Sequence, residues 1–325
     1  EAESATPDGV WREFTSAAGR YSLLSRRFPI GVASFVTPFN FPLNLAMHKI
    51  VPAIASGCPF VLKPSEQAPL SAVRLGELLS ETNMPDGSFS VLPCDTVDAS
   101  LFSENERIKV ISFTGSPKVG WYIHGQAKRK KVVLELGGNA ACIIDKNIDD
   151  IDHVVDRVLF GSFFYAGQTC ISVQRILVHE SLHDEFCEKL QKGAEKWNSN
   201  QGDPFNRSTL LGPLISEKEA MRVEEWVNES VSHHGGNILC GGKRNGSIYD
   251  ATFITDVDTK GKLWTHEIFG PVACIHKFSN FKDAIDMVND SEFGLQAGVF
   301  TNDLQKSFYA FENLEVGGVV INDVP

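Results

Sequence analysis

Cys170 ends the segment GQTC, and Glu135 lies 35 residues before it in the segment LELGG. A cysteine thiolate can attack a carbonyl group to form a covalent intermediate, and a carboxylate can activate the water that hydrolyses this intermediate. Taken alone, a cysteine more often packs as a small apolar side chain, and a glutamate at a strand end is usually solvated. The pair predicts covalent acyl chemistry only if the surrounding segments support it.

The composition is that of an ordinary globular protein with two domains. The chain has 325 residues, of which 42% are hydrophobic and 22% are charged, and it is longer than chains that usually fold around a single hydrophobic core. Its net charge of −11 argues against a nucleic-acid or anionic-membrane partner. Its apolar stretches are too short to span a bilayer, and no signal peptide is recognised. The seven cysteines form no C-x-x-C pair, which favours free thiols, so we expect a cytoplasmic protein.

Alternating strand-like and helix-like segments predict an α/β fold. Strand-like runs in the first half are residues 30–36, 60–63, 89–92, 108–113, 132–136 and 140–144, with helices over 43–55 and 71–81. The second half adds helices over 151–164, 281–288 and 303–314 and strands over 171–178, 272–276, 297–300 and 318–321. Residues 165–169 and 235–246 are predicted loops. Repeated strand–helix–strand units predict a doubly wound, Rossmann-like domain and a second α/β domain, joined near Gly137-Gly138.

The segment TGSPKVG, after the strand ending at Phe113, is a candidate phosphate-binding turn. Ser116 is a good N-cap, and Pro117 suits the first helical position. Gly115 lets a ligand approach the backbone, and the N–H groups at a helix start attract phosphate. The segment lacks the usual G-x-G-x-x-G pattern, so a capped helix without a ligand stays an open alternative.

Two further segments follow predicted strands, and ligands bind beyond the carboxyl ends of parallel strands. In KPSE, Lys63 and Glu66 are placed to form hydrogen bonds with ribose hydroxyls. The alternative is an exposed ion pair that contributes little to stability. In TPFNFP, the amide of Asn40 is placed to stabilise an oxyanion, or it makes a turn.

The segment HESLH, residues 179–183, matches the H-E-x-x-H signature of zinc proteases. That signature requires both histidines on one helical face. Here His179 ends a predicted strand, and Ser181 with Asp184 forms a predicted capping box that opens the next helix. We therefore predict no metal site.

Together, six segments resemble the aldehyde dehydrogenase superfamily. TPFNFP, LKPSE, FTGSPKVG, LELGG, GQTC and EIFGPV occur in the family's order between residues 37 and 272. The resemblance spans the whole chain and implies that a family-length chain extends further at both ends. It implies that residues 1–30 belong to a bridging ribbon through which subunits pair, residues 31–137 to an NAD(P)-binding domain, and residues 138–325 to a catalytic domain.

The resemblance also implies a role for each matching residue. Cys170 would be the nucleophile, Glu135 the general base and Asn40 the oxyanion donor, with Lys49 supporting proton transfer behind Glu135. The cofactor would be NAD, with NADP as an alternative, because a carboxylate at the position of Glu66 repels a 2′-phosphate. Its implied binding residues are Lys63, Glu66, Gly115, Ser116, Gly137, Glu267 and Phe269.

The segments CISVQR and VVINDVP resemble the branch that contains lactaldehyde and phosphonoacetaldehyde dehydrogenases. In that alignment the substrate pocket would include Phe41, Asn44, His48 and Phe164. Relatives that act on apolar aldehydes carry bulky apolar residues where this chain has Asn44 and His48, which implies a small polar or anionic aldehyde. The spacing of these two residues puts them on one helical face without saying which, so a pair that faces away from the pocket stays open.

The implied reaction is oxidation of an aldehyde to a carboxylic acid through a thiohemiacetal and a hydrolysed thioester. Relatives that pass the acyl group to coenzyme A generally lack the glutamate, so Glu135 favours hydrolysis. The full-length form would be a homodimer or homotetramer. The rival interpretation is a truncated or retired family member that serves as a noncatalytic binding or structural subunit.

Overall fold

The computed structural model describes residues 10–16, 18–95, 99–233 and 235–325. They form two compact units, one ending at Leu136 and the other beginning at Gly137. The predicted α/β class is confirmed, with a Rossmann-like parallel sheet in the first unit and a larger, mostly parallel sheet in the second. Among helices in the described ranges, none is both long and apolar enough to cross a membrane.

The first unit begins with a hairpin and continues in alternating strands and helices. The hairpin consists of β1 (Val10–Ser16) and β2 (Gly19–Ser25), and residues 1–9 of the predicted ribbon lie outside the described residues. The strands that follow are β3 (Val32–Val36), β4 (Phe60–Lys63), β5 (Phe89–Val91), β6 (Ile108–Thr114) and β7 (Lys131–Glu135). The helices are α1 (Asn44–Ala55), α2 (Leu70–Ser80), α3 (Leu101–Glu104) and α4 (Pro117–Gln126).

The sheet of the first unit has the order β5-β4-β3-β6-β7, and each neighbouring pair is parallel. Ile50 of α1 and Ala72 of α2 pack with Phe35 and Leu62 of the sheet, and Ile123 of α4 packs with Ile111 in a separate cluster. The strand order reverses between β3 and β6. Such a reversal opens a crevice at the carboxyl ends of the strands, where ligands bind in doubly wound folds.

The second unit is built on a larger sheet. Its strands and helices are β8 (Ala140–Ile144), α5 (Ile151–Phe163), β9 (Val173–His179), α6 (His183–Ser199), α7 (Glu217–His233), β10 (Asn237–Cys240), β11 (Arg244–Asn245), β12 (Ile248–Tyr249), β13 (Thr252–Thr255), α8 (Lys262–Thr265), β14 (Val272–Phe278), α9 (Phe281–Asn289), β15 (Gln296–Phe300), α10 (Leu304–Asn313) and β16 (Gly318–Ile321). The sheet order is β10-β13-β14-β9-β8-β15-β16. Only the β10–β13 pair is antiparallel among the described strands of this sheet.

Helices cover both faces of this sheet. Every residue of β8 and β9 is buried, as expected for central parallel strands between two helical layers. Apolar residues of α5 and α6 pack in one cluster, represented by Leu159 and Leu190, and those of α7 and α9 in another, represented by Val223 and Ile285. The two clusters thus hold the central strands, which lead into the loops that carry the candidate residues.

Two local predictions were wrong. The predicted glycine-rich loop contains β10, because the apolar run that ends at Cys240 pairs with β13. The predicted capping box does not form: α6 has Leu182 as its N-cap, and Ser181 Oγ lies 2.8 Å from His179 Nδ1 instead. The Ser181 hydroxyl therefore pairs with the histidine ring and does not cap the start of the helix.

Candidate active-site residues

A cavity of about 870 Å³ lies at the carboxyl edge of the sheet in the first unit. It opens at the reversal between β3 and β6, and residues that follow neighbouring strands line it, including Thr37 after β3 and Ser65 after β4. Parallel strands end at one edge of a sheet, so segments far apart in sequence meet there. The structure brings four of the predicted cofactor residues together at this cavity: Lys63, Glu66, Gly115 and Ser116.

Lys63 and Glu66 form an ion pair, as in the alternative interpretation, but only its carboxylate is exposed to solvent. Lys63 is only 6% exposed, and its Nζ lies 3.5 Å from Glu66 Oε1, whereas the Glu66 side chain is 46% exposed. A buried ammonium donor beside an accessible carboxylate acceptor is a suitable pair for adjacent hydroxyl groups.

Gly115, in the turn after β6, leaves room in the cavity for a ligand but offers it no backbone N–H donor. The Gly115 N–H donates to the carbonyl oxygen of Glu135 at 3.0 Å and so extends the sheet. A Cβ at Gly115 would lie 2.7 Å from the ring of Phe113, so the position favours glycine. Ser116 is the N-cap of α4 as predicted, yet its side chain makes no capping hydrogen bond, and it lines the cavity.

The apolar walls of this cavity were missed from the sequence. Phe102 of α3 and Val119 and Ile123 of α4 line it. Val119 and Ile123 are four residues apart on α4, which is the signal that could have found them. Apolar walls beside a few polar groups are typical of sites for small molecules and cofactors.

Lys49 and Glu135 interact electrostatically within the first unit. Lys49 projects from α1, is buried, and donates a hydrogen bond of 2.8 Å from Nζ to Ser112 Oγ on β6. Burial lowers the pKa of Lys49 to about 8, while the negative charge of Glu135 opposes this shift. Glu135 is exposed at the end of β7. A lysine with a pKa near neutrality can gain and lose a proton under physiological conditions.

The residues around the start of α1 differ in burial. Asn40, in the loop after β3, is 4% exposed, and Phe41 is half-buried. Asn44 and His48 lie one turn apart on α1 and are both exposed. The helix buries its other face, so these two polar side chains remain accessible to a ligand.

Cys170 lies in the second unit, half-buried in the loop between α5 and β9. The loop opens with a 3₁₀ turn, Phe164–Gly167, in which Tyr165 and Ala166 have φ values of 55° and 54°. Gly167 continues this left-handed run with φ 68°, and a Cβ there would collide with the carbonyl oxygen of Gly270. Left-handed non-glycine residues persist only where the surroundings enforce them, and such strain clusters at functional sites.

Close contacts in the second unit favour both glycines of LELGG, most strongly Gly138, whose neighbour is backbone and not the end of a flexible side chain. A Cβ on Gly138 would collide with the carbonyl oxygen of Cys170, and a Cβ on Gly137 would collide with the Glu267 carboxylate. The Gly138 N–H donates to Glu267 Oε1 at 2.8 Å. Burial raises the pKa of Glu267 to about 7, against the opposing effects of the Gly138 N–H and the Arg222 guanidinium. The backbone of Gly138 therefore contacts both the candidate nucleophile and a predicted cofactor ligand.

Two aromatic residues from the sequence analysis lie in the same unit. Phe164 is 43% exposed and stacks on Phe160 with ring centroids 4.8 Å apart. Phe269 is half-buried, and its φ of 49° is left-handed. It directly precedes the Gly270 carbonyl that excludes a side chain at Gly167.

A buried arginine that the sequence analysis did not select anchors this region. Arg175, 2% exposed, donates from Nε and Nη2 to the carbonyl oxygen of Asn139 at 3.2 and 3.0 Å. It also donates to the carbonyls of Met287 and Val288 near the end of α9 at 3.0 and 3.1 Å. Burial lowers the pKa of Arg175 to about 10. Arg175 thus fixes the segment that contains Gly138 to β9 and α9.

The H-E-x-x-H segment lacks the geometry of a zinc signature. His179 is the last residue of β9 and His183 the first of α6, so the two histidines do not share a helical face. Across the parts of the chain that the structure describes, no group of three or more His, Cys, Asp or Glu side chains is arranged to hold a metal ion.

The profile of the Aldehyde dehydrogenase family matches residues 4–325. The 3-sulfolactaldehyde dehydrogenase of Priestia aryabhattai is 42% identical over 324 residues, covering 99% of this chain and 67% of the relative. The crystal structure of aldehyde dehydrogenase 21 from Physcomitrella patens, in complex with the reaction product succinate, superposes with a TM-score of 0.96 at 47% identity, over 99% of this chain and 67% of that one.

A second solved structure carries a cofactor. The glyceraldehyde-3-phosphate dehydrogenase of Methanocaldococcus jannaschii, complexed with NADP, has a TM-score of 0.91 at 40% identity, over 99% of this chain and 70% of its own. The chain thus spans about two thirds of the length of these relatives. The resemblance drawn from the six sequence segments is confirmed.

Proposed function

Because the chain belongs to the aldehyde dehydrogenase family, we propose that it oxidises an aldehyde to a carboxylic acid with NAD(P) as the electron acceptor. The contact of Gly138 with both Cys170 and Glu267 is the observation that carries this proposal. It brings the backbone carbonyl of the residue that carries a half-buried thiol and the carboxylate of an acidic residue suited to bind ribose to one short stretch of backbone.

The residues of the first unit fit a dinucleotide. The cavity lies at the switch point of a doubly wound sheet, and it combines a buried ammonium, an accessible carboxylate, the start of α4 and apolar walls. Lys63 and Glu66 would hold the adenosine ribose and Ser116 the pyrophosphate, and Glu267 of the second unit would bind the nicotinamide ribose. NAD(P), when bound, accepts the hydride that leaves the substrate. The Glu66 carboxylate favours NAD, because it would repel the phosphate of NADP.

The chemical steps are assigned to four side chains. The Cys170 thiolate bonds to the aldehyde carbon, and the Asn40 amide donates a hydrogen bond to the oxyanion that forms. After oxidation the acyl group remains on sulfur as a thioester. Glu135 accepts a proton from water as the water oxygen bonds to the acyl carbon, and Cys170 leaves as thiolate. Lys49, held by Ser112, stabilises the charge of Glu135 and offers a route for its proton.

The substrate we propose is a small aldehyde that carries a hydroxyl or an acidic group. The three relatives are described with sulfolactaldehyde, succinate and glyceraldehyde-3-phosphate, all compact and acidic. Asn44 and His48 present polar groups on the exposed face of α1. Polar side chains at these positions would pair with such a substrate, whereas an alkyl chain would leave them desolvated and unpaired.

The proposed assembly is a homodimer or homotetramer. The hairpin β1–β2 would mediate pairing, since every residue of β2 is exposed and offers a surface to a partner. The cytoplasmic location stays a prediction.

An assay of cofactor reduction tests the proposed function. The purified protein is mixed with NAD or NADP and with lactaldehyde, 3-sulfolactaldehyde, succinic semialdehyde or hexanal, and absorbance of the reduced cofactor is followed. We expect turnover with the polar aldehydes and a mass increase on Cys170 in quenched samples. Cofactor binding without turnover for any aldehyde, and without a covalent adduct, would favour the noncatalytic subunit.

A further inference from the structure

The side-chain amide of Gln174 bonds to the two peptide groups that flank Glu267. Its Nε2 donates to the carbonyl oxygen of His266 at 2.9 Å, and its Oε1 accepts from the N–H of Ile268 at 2.7 Å. Gln174 is 2% exposed and lies on β9. The amide thus pairs with one backbone C=O and one backbone N–H of the same segment, as a neighbouring β-strand would.

Further bonds hold the same short connection between α8 and β14, but among the described residues none of them reaches both sides of Glu267. Asn139 Nδ2 donates to the carbonyl oxygen of Trp264 at 2.7 Å, and Arg222 Nη2 donates to that of Ile268 at 2.7 Å. Asn139 Nδ2 also lies 3.5 Å from the carbonyl oxygen of His266, so Asn139 holds two peptide groups that both precede Glu267, whereas Arg222 holds one that follows it. Gln174 fixes both sides and so restricts the backbone rotations that direct the carboxylate.

We propose that Gln174 is a positioning residue for Glu267 and, through it, sets the affinity of the enzyme for NAD(P). The proposal rests on the proposed function, in which Glu267 binds the nicotinamide ribose. A carboxylate that accepts hydrogen bonds from two ribose hydroxyls must stay within about 0.5 Å of its binding position. The residues that support it have to hold it there. Gln174 also lies four residues after Cys170, so the candidate nucleophile and the residue that supports the cofactor ligand are close in sequence.

The first test replaces the amide without changing the length of the side chain. Gln174→Met removes the donor and the acceptor, and we expect calorimetry to show that the dissociation constant for NAD rises about tenfold. The rate at which iodoacetamide alkylates Cys170 should stay within about twofold, because Gln174 acts through Glu267 and not through the thiol. If Gln174→Met does not fold, Gln174→Glu is measured instead. It keeps the acceptor for Ile268, loses the donor to His266, and should change affinity in the same direction.

Asn198 supplies a matched control within the same unit. Its amide likewise pairs with one backbone acceptor and one backbone donor, which here belong to a single residue: Nδ2 donates to the Ala251 carbonyl at 3.1 Å, and Oδ1 accepts from the Ala251 N–H at 2.7 Å. Asn198→Leu should lower the melting temperature without changing NAD affinity. If Asn198→Leu weakens NAD binding as much as Gln174→Met does, the effect reflects general stability and the proposal is overturned.

A double-mutant cycle with Glu267→Gln separates this inference from the proposed function. The double variant combines Gln174→Met with Glu267→Gln. We expect its NAD affinity to equal that of whichever single variant binds NAD less tightly, because the two residues act through one contact. Multiplicative losses would show that Gln174 acts independently of Glu267, and the inference would fail. Unchanged NAD affinity in Glu267→Gln alone would instead refute the proposed role of Glu267.

Discussion

The carboxylate of Glu267 accepts a hydrogen bond of 2.8 Å from the backbone N–H of Gly138, the second residue before β8. This bond is the main local compensation for a buried carboxyl group, and it only partly offsets the effect of burial, because the pKa of Glu267 is still raised to about 7. A group that titrates near neutrality changes its charge within the working pH range of an enzyme.

Cofactor affinity should therefore depend on the protonation of Glu267. The ionised carboxylate is the better acceptor for ribose hydroxyls, so NAD affinity of the wild type should rise with pH through about 7 and level off above it. Glu267→Gln should remove this dependence, while the exposed Glu292→Gln should retain it. Calorimetric titrations with NAD across this pH range provide the measurement. A wild-type profile that persists in Glu267→Gln contradicts the assignment.

Cys170→Ser should abolish aldehyde oxidation and leave NAD binding nearly intact. A hydroxyl is far less ionised than a thiol, so the variant lacks the nucleophile but keeps the cofactor residues. Steady-state formation of reduced cofactor and calorimetric NAD binding are measured together. Cys94→Ser, a half-buried cysteine outside the candidate site, is the control and should keep full turnover. Substantial turnover in Cys170→Ser would show that another group is the nucleophile.

Glu135→Gln should separate acylation from hydrolysis. An amide cannot accept the proton of water, so the thioester should form once and then persist. Rapid mixing should show a burst of reduced cofactor of normal amplitude, followed by steady turnover lowered by about a hundredfold or more. Equal loss of the burst and of steady turnover would place Glu135 before the thioester.

The burial of the Lys49 ammonium should make the free energy of unfolding depend on pH. Its pKa is lowered from 10.5 to about 8, so between these values the unfolded chain binds more protons than the folded one. The free energy of unfolding therefore gains a contribution as pH rises from about 8 to 10.5, worth up to about 3 kcal/mol. Lys49→Met removes this contribution, so its stability relative to the wild type should fall over the same range.

Denaturant unfolding at several pH values measures the Lys49 effect as a difference between variants, which cancels titrations common to both. Lys109, on β6 in the same unit, is exposed and serves as the control. Lys109→Met should differ from the wild type by a nearly constant amount. A constant difference for Lys49→Met as well would mean that its ammonium is solvated in the folded protein.

The substrate proposal depends on His48. His48→Leu should raise the ratio of kcat/KM for hexanal to that for lactaldehyde by about tenfold, because it replaces a polar group by an apolar one along the substrate. His153→Leu changes an exposed histidine of α5 and should leave this ratio unchanged. A wild type that already prefers hexanal, together with an unchanged ratio in His48→Leu, would refute the pocket assignment but not the enzyme class.

The sequence by itself determined many of the strands and helices, because the spacing of apolar residues is a local property, but it did not select α7 or β13. The strands Phe60–Lys63 and Gly318–Ile321 have the predicted bounds. The same local reasoning failed for β10, whose antiparallel partner decides its conformation, and for Ser181, whose hydroxyl pairs with His179. The six segments were also sufficient to identify the family, because their order is specific even though each segment is short.

Only the tertiary structure decided how the candidate residues are supported. Gln174 and His266 are 92 residues apart, and Lys49 and Ser112 are 63 apart, so no periodicity in the chain links them. Their hydrogen bonds follow from the way parallel strands and their crossovers pack segments that are distant in sequence against one another. The raised pKa of Glu267 and the lowered pKa of Lys49 likewise come from burial, which the residue type alone does not reveal.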